Sequence, residues 1–436
     1  MTAHAHQSAL SLQQLAPNVT AKVREGDLAK AQLALLAIGA GLVGAAWATG
    51  GKSFFFSYLV GYMGVLGICL GALFFTMVQH ITRAGWSVVV RRTAENIAGA
   101  LPVMALLFVP VLVGSHDLYH HWMDAKIVPG EQGYDAVLAG KSAWLNSNFF
   151  FVRAAIYFVV WIGLATYFRG QSIKQDETGD PAISLRLSRV AAPGLLLFAL
   201  STTFAAFDWI MSLDPHWFST IFGITYFAGG VMAFFAFTIL LTRWLGSKGY
   251  LANANGGAMS TEHFHDLGKF LFAFMVFWTY TNFSQYMLIW YANLPEETAW
   301  YDHRAHNGWS AIGTLLIVGH FLFPFAFLMS RHVKRNPLGL AFGAIFLLVI
   351  HCIDMQYLIL PNMAHGDHAA PAGEAAHGGF GHALGEYLHT ISWSDFGCYV
   401  GLLSLLGGVV LMNVRRTNLV PVRDPRLAES LKFQNI

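Results

Sequence analysis

Ten runs of about 20 predominantly apolar residues dominate the sequence, and each is long enough to cross a lipid bilayer as a helix. Because lipid offers the backbone no hydrogen-bond partners, an isolated apolar run satisfies its own backbone there only as a helix. We therefore predict an all-α, polytopic membrane protein. The ten runs lie approximately at residues 30–49, 54–80, 95–114, 148–169, 190–210, 217–242, 266–292, 308–330, 338–360 and 391–413.

The basic residues favour ten spans, because they alternate between the two sides of the membrane as the positive-inside rule requires. With ten spans, 21 of the 26 Lys and Arg residues fall on one side, and both termini are cytoplasmic. We predict a cytoplasmic segment over residues 1–29 and a ten-helix membrane domain over 30–413 with long outer loops at 115–147 and 361–390. A cytoplasmic tail follows over residues 414–436.

Composition excludes several other classes of protein. Only 11% of the residues are charged, whereas a soluble domain carries about 25%. A net charge of +2 provides no basic surface for nucleic acid. The three cysteines, Cys69, Cys352 and Cys398, are too scattered for a disulfide framework or a Cys-x-x-Cys site. We expect no cleaved secretory signal, no covalently bound cofactor and no metal site in this chain.

Ionisable residues inside the spans are the main candidates for function, because placing a charge in lipid is costly. Arg153 and Tyr157 share one face of the predicted fourth helix. Asp208 ends the fifth helix at a similar outer depth. These three residues predict either a quinone-adjacent site or an outer proton exit. A structural ion pair that locks the two helices together explains the pattern equally well.

His320, His351 and Asp354 lie near the middle of the predicted eighth and ninth helices. These helices form an antiparallel hairpin, so the two histidines differ in depth by only about 5 Å. A histidine beside a carboxylate is suited to a proton relay, and the alternative is a satisfied polar pair that bridges two helices. Two buried histidines also suggest haem ligation, but adjacent helices about 8–10 Å apart leave little room for a porphyrin.

Three other groups of polar residues are weaker candidates. His80, Glu95 and the segment 262–269 predict the inner mouth of a proton path, or else solvated helix ends. A stripe on the seventh helix predicts hydrogen bonds between helices: Thr279, Asn282, Gln285 and Tyr286. The histidines of the second outer loop have no fixed ligand spacing, which favours a loop over a metal site: His365, His368, His377, His382 and His389.

The most distinctive stretch is FDWIMSLDPHWFST at residues 207–220, at the end of the fifth helix and in the connection that follows it. Together with the ten spans, the basic loops and the HCID stretch at 351–354, it resembles the F-type member of the NrfD-like integral membrane proteins, found in the bacterial alternative complex III. That complex is a quinol:electron-acceptor oxidoreductase that replaces the cytochrome bc1 complex. The resemblance extends over essentially the whole chain.

The resemblance implies two four-helix bundles, helices two to five and six to nine, with two flanking helices in a bacterial inner membrane. It implies a component of a quinol:cytochrome c oxidoreductase that contributes to a quinone site or to proton conduction. The ligand would be quinone or menaquinone. The partners would be a second NrfD-like subunit, an iron-sulfur subunit, haem-carrying c-type cytochrome subunits and a terminal oxidase. Asp208 would lie at the outer site, and His320, His351 and Asp354 on the proton route.

Two other functions remain open at this point. A secondary transporter would need inverted repeats with matched broken helices at the midplane, and the sequence has no matched pair interrupted by Gly or Pro. A purely structural anchor for redox subunits would conduct no protons. Substitution of Asp354 or His351 separates the anchor from the relay, because only the relay predicts an altered proton-to-electron stoichiometry.

Overall fold

Helices account for all of the regular secondary structure in the described residues, where no β-strand occurs. The structure is a computed structural model that describes residues 27–251, 258–306, 308–366 and 380–435. The predicted N-terminal segment up to residue 26 lies outside this part of the chain. The side chains of three predicted loop histidines also lie outside it: His365, His368 and His377.

Ten long helices run through the described chain, and their bounds are α1 (Asp27–Gly50), α2 (Ser53–Ile81), α3 (Val88–Val113), α4 (Ser147–Thr178), α5 (Ala182–Trp209), α6 (Phe222–Ser247), α7 (Thr261–Ala292), α8 (Trp309–Met329), α9 (Pro337–Ile359) and α10 (Trp393–Arg415). Nine helices of the described residues are long and apolar enough to cross a membrane. The protein is therefore an all-helical, multi-pass membrane protein. The remaining long helix is α7, where Thr279, Asn282 and Gln285 lower the hydropathy.

Short helices occupy several of the connections between these long ones. The two that matter most for the candidate sites are Ala136–Lys141, which precedes α4, and Pro295–His303, which follows α7. The others are Ser115–Met123, Met211–Leu213, Arg331–Arg335, Leu360–Gly366, Phe380–Thr390 and Leu427–Leu431.

Two prolines divide α3 into three segments. The segments are Val88–Ala98, Leu101–Leu106 and Val109–Val113, and Pro102 and Pro110 stand in the first turns of the second and third. A proline in a helix interior removes one hydrogen bond and collides with the carbonyl four residues earlier, whereas a proline in the first turn does neither. Each break therefore accommodates a proline without strain.

The centre of the molecule is α2, which is buried along nearly its whole length and packs against α3, α5, α6, α9 and α10. Where α2 meets α6, a Cβ added to Gly67 would lie 3.0 Å from the Cα of Gly230. Small residues of this kind let membrane helices approach closely. The two long helices at the chain ends pair with each other, since α1 packs along α10.

The chain after α10 turns back across the end of the bundle. In this tail, the Ser430 hydroxyl donates to the carbonyl of Trp86, which lies just before α3, at 2.6 Å. The Asn435 amide donates to the carboxylate of Asp266 in the first turns of α7 at 2.7 Å. The tail therefore ties the beginnings of α3 and α7 together.

Candidate functional site

The three predicted outer residues meet at the junction of α4 and α5. The Arg153 guanidinium binds the Asp208 carboxylate in a bidentate manner, with Nε 2.7 Å from Oδ2 and Nη2 2.9 Å from Oδ1. The Tyr157 hydroxyl donates to Oδ2 at 2.7 Å. Arg153 is 4% and Asp208 1% exposed, so the pair is buried. Spacing on one face of α4 brings Arg153 and Tyr157 to the same carboxylate, as the sequence predicts.

Trp144 completes this outer cluster, although the sequence indicates only an aromatic residue near the end of a span. Its indole N–H donates to Asp208 Oδ1 at 2.9 Å, and its carbonyl accepts from Arg153 Nη1 at 2.8 Å. The guanidinium also lies over the indole ring, 4.3 Å from its centroid. Asp208 therefore accepts four hydrogen bonds, and the donors around it point inward. Three N–H groups of Arg153, the Tyr157 hydroxyl and the Trp144 indole are thus engaged within the cluster.

The predicted mid-membrane residues meet around Trp278 of α7. Its indole N–H donates to Asp354 Oδ2 at 3.1 Å. The same indole stacks on the imidazole of His320, with ring centroids 3.5 Å apart and planes 18° apart. Asp354 is 2% and His320 0% exposed. Trp278 thus links a histidine of α8 to an aspartate of α9, a connection that the sequence does not reveal because a tryptophan in an apolar run resembles an ordinary core residue.

A local change of helix type surrounds His320. The α8 helix is interrupted by a π-helical turn over Ile317–Leu322, which holds this histidine. Pro324 stands four residues later, so its ring would collide with the His320 carbonyl in a regular α-helix. The wider turn relieves that collision. Single π-turns within α-helices are frequent at functional sites, and the spacing of His320 and Pro324 is the sequence signal for it.

His351 lies one turn before Asp354 on α9 and is 0% exposed. Its ring packs against α6 at Gly229, where an added Cβ would lie 3.4 Å from Cε1. The Trp278 ring lies 3.3 Å from the same point, so His351 and Trp278 flank one glycine. Among the described residues, no ring nitrogen of His351 or His320 has a partner in hydrogen-bond geometry. These are uncommon buried polar groups, since most are paired in native structures.

At the other end of the bundle Glu95 lies in a buried charge network rather than at a solvated helix end. Its carboxylate is 2.9 Å from Arg92 Nε and 3.4 Å from Arg91 Nε. Arg91 also binds Asp424 of the tail, and Arg92 lies 2.8 Å from Asp176 of α4. The helix begins at Val88, earlier than the predicted span that starts at residue 95, so both arginines are inside α3.

His80 is 4% exposed but does not join that network. Its ring packs against Phe168, and its Nε2 has no hydrogen-bond partner in the described chain. Within the segment 262–269, Glu262 binds Arg335 at 2.6 Å and Asp266 binds Lys269 at 2.5 Å. The predicted inner residues are thus divided between three separate groups.

Arg304 is a further buried charge, one that the sequence does not single out. It follows the short helix Pro295–His303, is 2% exposed, and stacks on the Trp300 ring at 3.4 Å. Its guanidinium donates to the carbonyls of Tyr357 at 3.0 Å and Leu358 at 3.1 Å, in the last turn of α9. Burial lowers the pKa of Arg304 to about 10, so it remains a cation at neutral pH. It caps the negative end of the α9 dipole.

The predicted polar stripe of α7 makes mostly structural contacts. Gln285 accepts from Ser219 at 2.7 Å and donates to the Tyr301 hydroxyl at 3.2 Å, while Thr279 and Asn282 bond to the backbone of their own helix. No group of three or more His, Cys, Asp or Glu residues suited to a metal ion occurs among the described residues.

The sequence matches no protein-family model, and no curated protein is similar enough to count as a match. Any assignment of function therefore depends on the residues and geometry of the chain itself.

Proposed function

We propose that this chain is an NrfD-like integral membrane component, of the F type, in a bacterial alternative complex III that oxidises quinol and reduces cytochrome c or another acceptor. The observation that carries the proposal is the buried cluster of His320, Trp278, Asp354 and His351 inside the helical bundle. Ionisable groups at such positions are costly in a membrane protein and generally serve transport of charge.

The proposed role of the cluster is proton conduction through the middle of the bundle. Quinol oxidation releases two protons, and moving one charge across the membrane field involves about 2.3 kcal/mol per 100 mV. The imidazole nitrogens of His320 and His351, which lack partners in hydrogen-bond geometry, can accept and release a proton. The Asp354 carboxylate, one turn after His351, can do the same. Trp278 would position His320 and Asp354 relative to each other rather than carry a proton.

The outer and inner groups have supporting roles in this proposal. Because the donors around Asp208 already point at its carboxylate, Arg153 and Tyr157 would fix α4 to α5 beside a quinone or an outer proton exit. His80 and Glu95, at the opposite end of the bundle, would form the inner mouth of the path. We assign no redox chemistry to this chain. Haem and iron-sulfur clusters would belong to the cytochrome, iron-sulfur and second NrfD-like partners, and a terminal oxidase would accept the electrons.

The architecture proposed with this function has ten spans, both termini in the cytoplasm, and two four-helix bundles formed by α2–α5 and α6–α9. Support for the tenth span comes from the length of α7, 32 residues, and from its packing against α6 and α8. Support for the flanking helices comes from the pairing of α1 with α10 beside α2. The membrane would be the bacterial inner membrane.

The test is purification of the native assembly from membranes with a tag on this chain. The proposal predicts co-elution of an iron-sulfur subunit, c-type cytochromes and a second multi-pass subunit, together with a c-type haem absorption spectrum and quinol oxidase or quinol:cytochrome c activity. A chain that purifies alone and colourless, and that transports a solute in vesicles, would contradict it.

A further inference from the structure

A pocket of about 220 Å³ lies at the end of the bundle that carries the C-terminal tail. It is formed by four parts of the chain, namely the end of α2, the beginning of α3, the beginning of α5 and the tail. Its charged and polar lining residues include Gln79, His80, Arg83, Arg91, Asp424 and Arg426. The proton path and the quinone site proposed above do not explain the excess of cations in this lining.

The lining is electropositive. Three arginines face one carboxylate, and that carboxylate, Asp424, already binds Arg91. The side chains of Arg83 and Arg426 take part in none of the hydrogen bonds or ion pairs found among the described residues. Two cationic groups thus remain available to an anionic ligand.

Arg83 also has an unusual backbone. Its φ is 53°, in the left-handed region, directly after the end of α2. Helices commonly end with a residue in this conformation, but it is usually glycine, because a side chain is strained there. The strain is consistent with a requirement for the guanidinium at this position, since backbone outliers of this kind are found at ligand sites.

Two buried polar side chains lie in the wall of the pocket, and each has an atom without a partner. His80 and Gln79 are each 4% exposed, and both line the pocket. Neither His80 Nε2 nor Gln79 Oε1 has a hydrogen-bond partner in the described part of the chain. Both atoms are buried, so a ligand would meet these two side chains as part of the wall, and the charges available to it are those of Arg83 and Arg426.

An exposed apolar face leads away from the pocket along α5. Leu185 lines the pocket and is 48% exposed, and Leu196 and Leu200 on the same helix are 63% and 50% exposed. Their spacing, 11 and 15 residues after Leu185, places all three on one side of the helix. A ligand with its anionic group in the pocket could therefore lay hydrocarbon chains along this face.

We propose that the pocket binds a phosphate group, with the headgroup of an anionic phospholipid as its source. Arg83 and Arg426 neutralise the phosphate, His80 and Gln79 form part of the polar wall, and the acyl chains follow Leu185, Leu196 and Leu200. Basic pockets between membrane helices are a known type of site for such headgroups. The volume, below the about 300–1,000 Å³ typical of drug-sized ligands, suits a headgroup rather than a whole lipid.

The test is thermal unfolding of the full chain in lipid-free detergent micelles, titrated with short-chain phosphatidylglycerol and, separately, with inorganic phosphate. We expect phosphatidylglycerol to raise the Tm saturably in the wild type and in the control Lys248→Gln, which removes an exposed basic residue outside the pocket. In Arg83→Gln/Arg426→Gln we expect the half-saturating concentration to rise by on the order of tenfold or more.

Three results would contradict the proposal, two by eliminating the site and one by overturning the lipid as the source of the phosphate. Equal Tm shifts in the wild type and the double variant would eliminate the site. A full shift with inorganic phosphate and none with the lipid would overturn the lipid source. If the double variant does not fold, the single Arg83→Gln, whose side chain makes no hydrogen bond or ion pair in the described protein, is titrated instead, and an unchanged midpoint there eliminates the site.

Discussion

Pro324 follows His320 by four residues in α8, and the helix widens into a π-turn around that histidine. The proline ring excludes a regular α-helical position for the His320 carbonyl. The same turn sets the imidazole flat against Trp278. The geometry of the cluster around Trp278 is thus coupled to a proline one turn after His320.

Replacing Pro324 with alanine should let the π-turn revert to α-helix and move His320 away from Trp278. We expect unchanged or higher thermal stability, because an interior proline disfavours a helix by about 3 kcal/mol, but a lower proton-to-electron ratio in the assembled complex. Pro193→Ala is the control, since Pro193 lies inside the continuous helix α5. Unchanged proton coupling in Pro324→Ala would show that the π-turn does not matter for conduction.

Two variants of the cluster around Asp208 distinguish the contribution of the ion pair to stability from that of a single hydrogen bond. Asp208→Asn leaves the buried Arg153 cation without its carboxylate and should cost about 3–5 kcal/mol of stability. Tyr157→Phe removes one hydrogen bond and should cost about 1 kcal/mol. Chemical denaturation of the purified chain measures both. If Asp208→Asn were as stable as the wild type, the locking role assigned to this pair would be wrong.

The proposed position of a quinone beside the cluster around Asp208 predicts how the KM for quinol responds to Tyr157→Phe. In the intact complex, Tyr157→Phe should leave the KM for quinol nearly unchanged, because the Tyr157 hydroxyl already donates to Asp208 and has no proton to offer the quinone. A large rise in KM with normal stability would instead indicate direct contact between Tyr157 and the head group.

The buried network of Arg91, Arg92 and Glu95 predicts that the stability of the protein depends strongly on Glu95. Glu95→Gln removes the carboxylate shared by Arg91 and Arg92 in a buried site and should destabilise the protein by about 3–5 kcal/mol. Lys269→Gln is the matched control at the same end, because its pair with Asp266 is half-exposed and worth about 0–1 kcal/mol. Comparable losses of unfolding free energy in Glu95→Gln and Lys269→Gln, measured by chemical denaturation, would argue against a buried network.

The crossing of α2 and α6 depends on small residues. Gly230→Ala places a Cβ 2.9 Å from the Gly67 Cα, so the helices must separate, at a cost of about 1–3 kcal/mol. Gly163→Ala in α4 meets no atom within 4 Å and should leave stability unchanged or slightly higher. Thermal unfolding of the two variants provides the comparison, and equal midpoints would refute the close crossing.

Much of the helical fold follows from apolar runs, since their length and the needs of the backbone in lipid leave few alternatives. The sequence also predicts that Arg153, Tyr157 and Asp208 share an outer depth, because helical spacing and the ends of spans determine it. The structure brings these three together. His320 and Asp354 likewise meet in the middle of the bundle, through Trp278.

Sequence patterns give poor guidance where contacts join distant parts of the chain. Arg91 pairs with Asp424, 333 residues away, so nothing near Arg91 indicates that its charge is buried. The role of Trp278 is equally hard to predict from the sequence, because it depends on partners in α8 and α9. Such contacts are set by packing of whole helices and by the fold of the tail, which local periodicity does not encode.

The proposed proton relay is tested most directly by the proton-to-electron stoichiometry of the assembled complex in vesicles, with Asp354→Asn compared to the wild type. We expect normal assembly and normal quinol oxidation, but fewer protons moved per electron. Trp278→Phe, which keeps an aromatic ring and loses the hydrogen bond to Asp354, should give an intermediate ratio. An unchanged ratio in an assembled Asp354→Asn complex would contradict proton conduction through this cluster and leave this chain as a structural anchor.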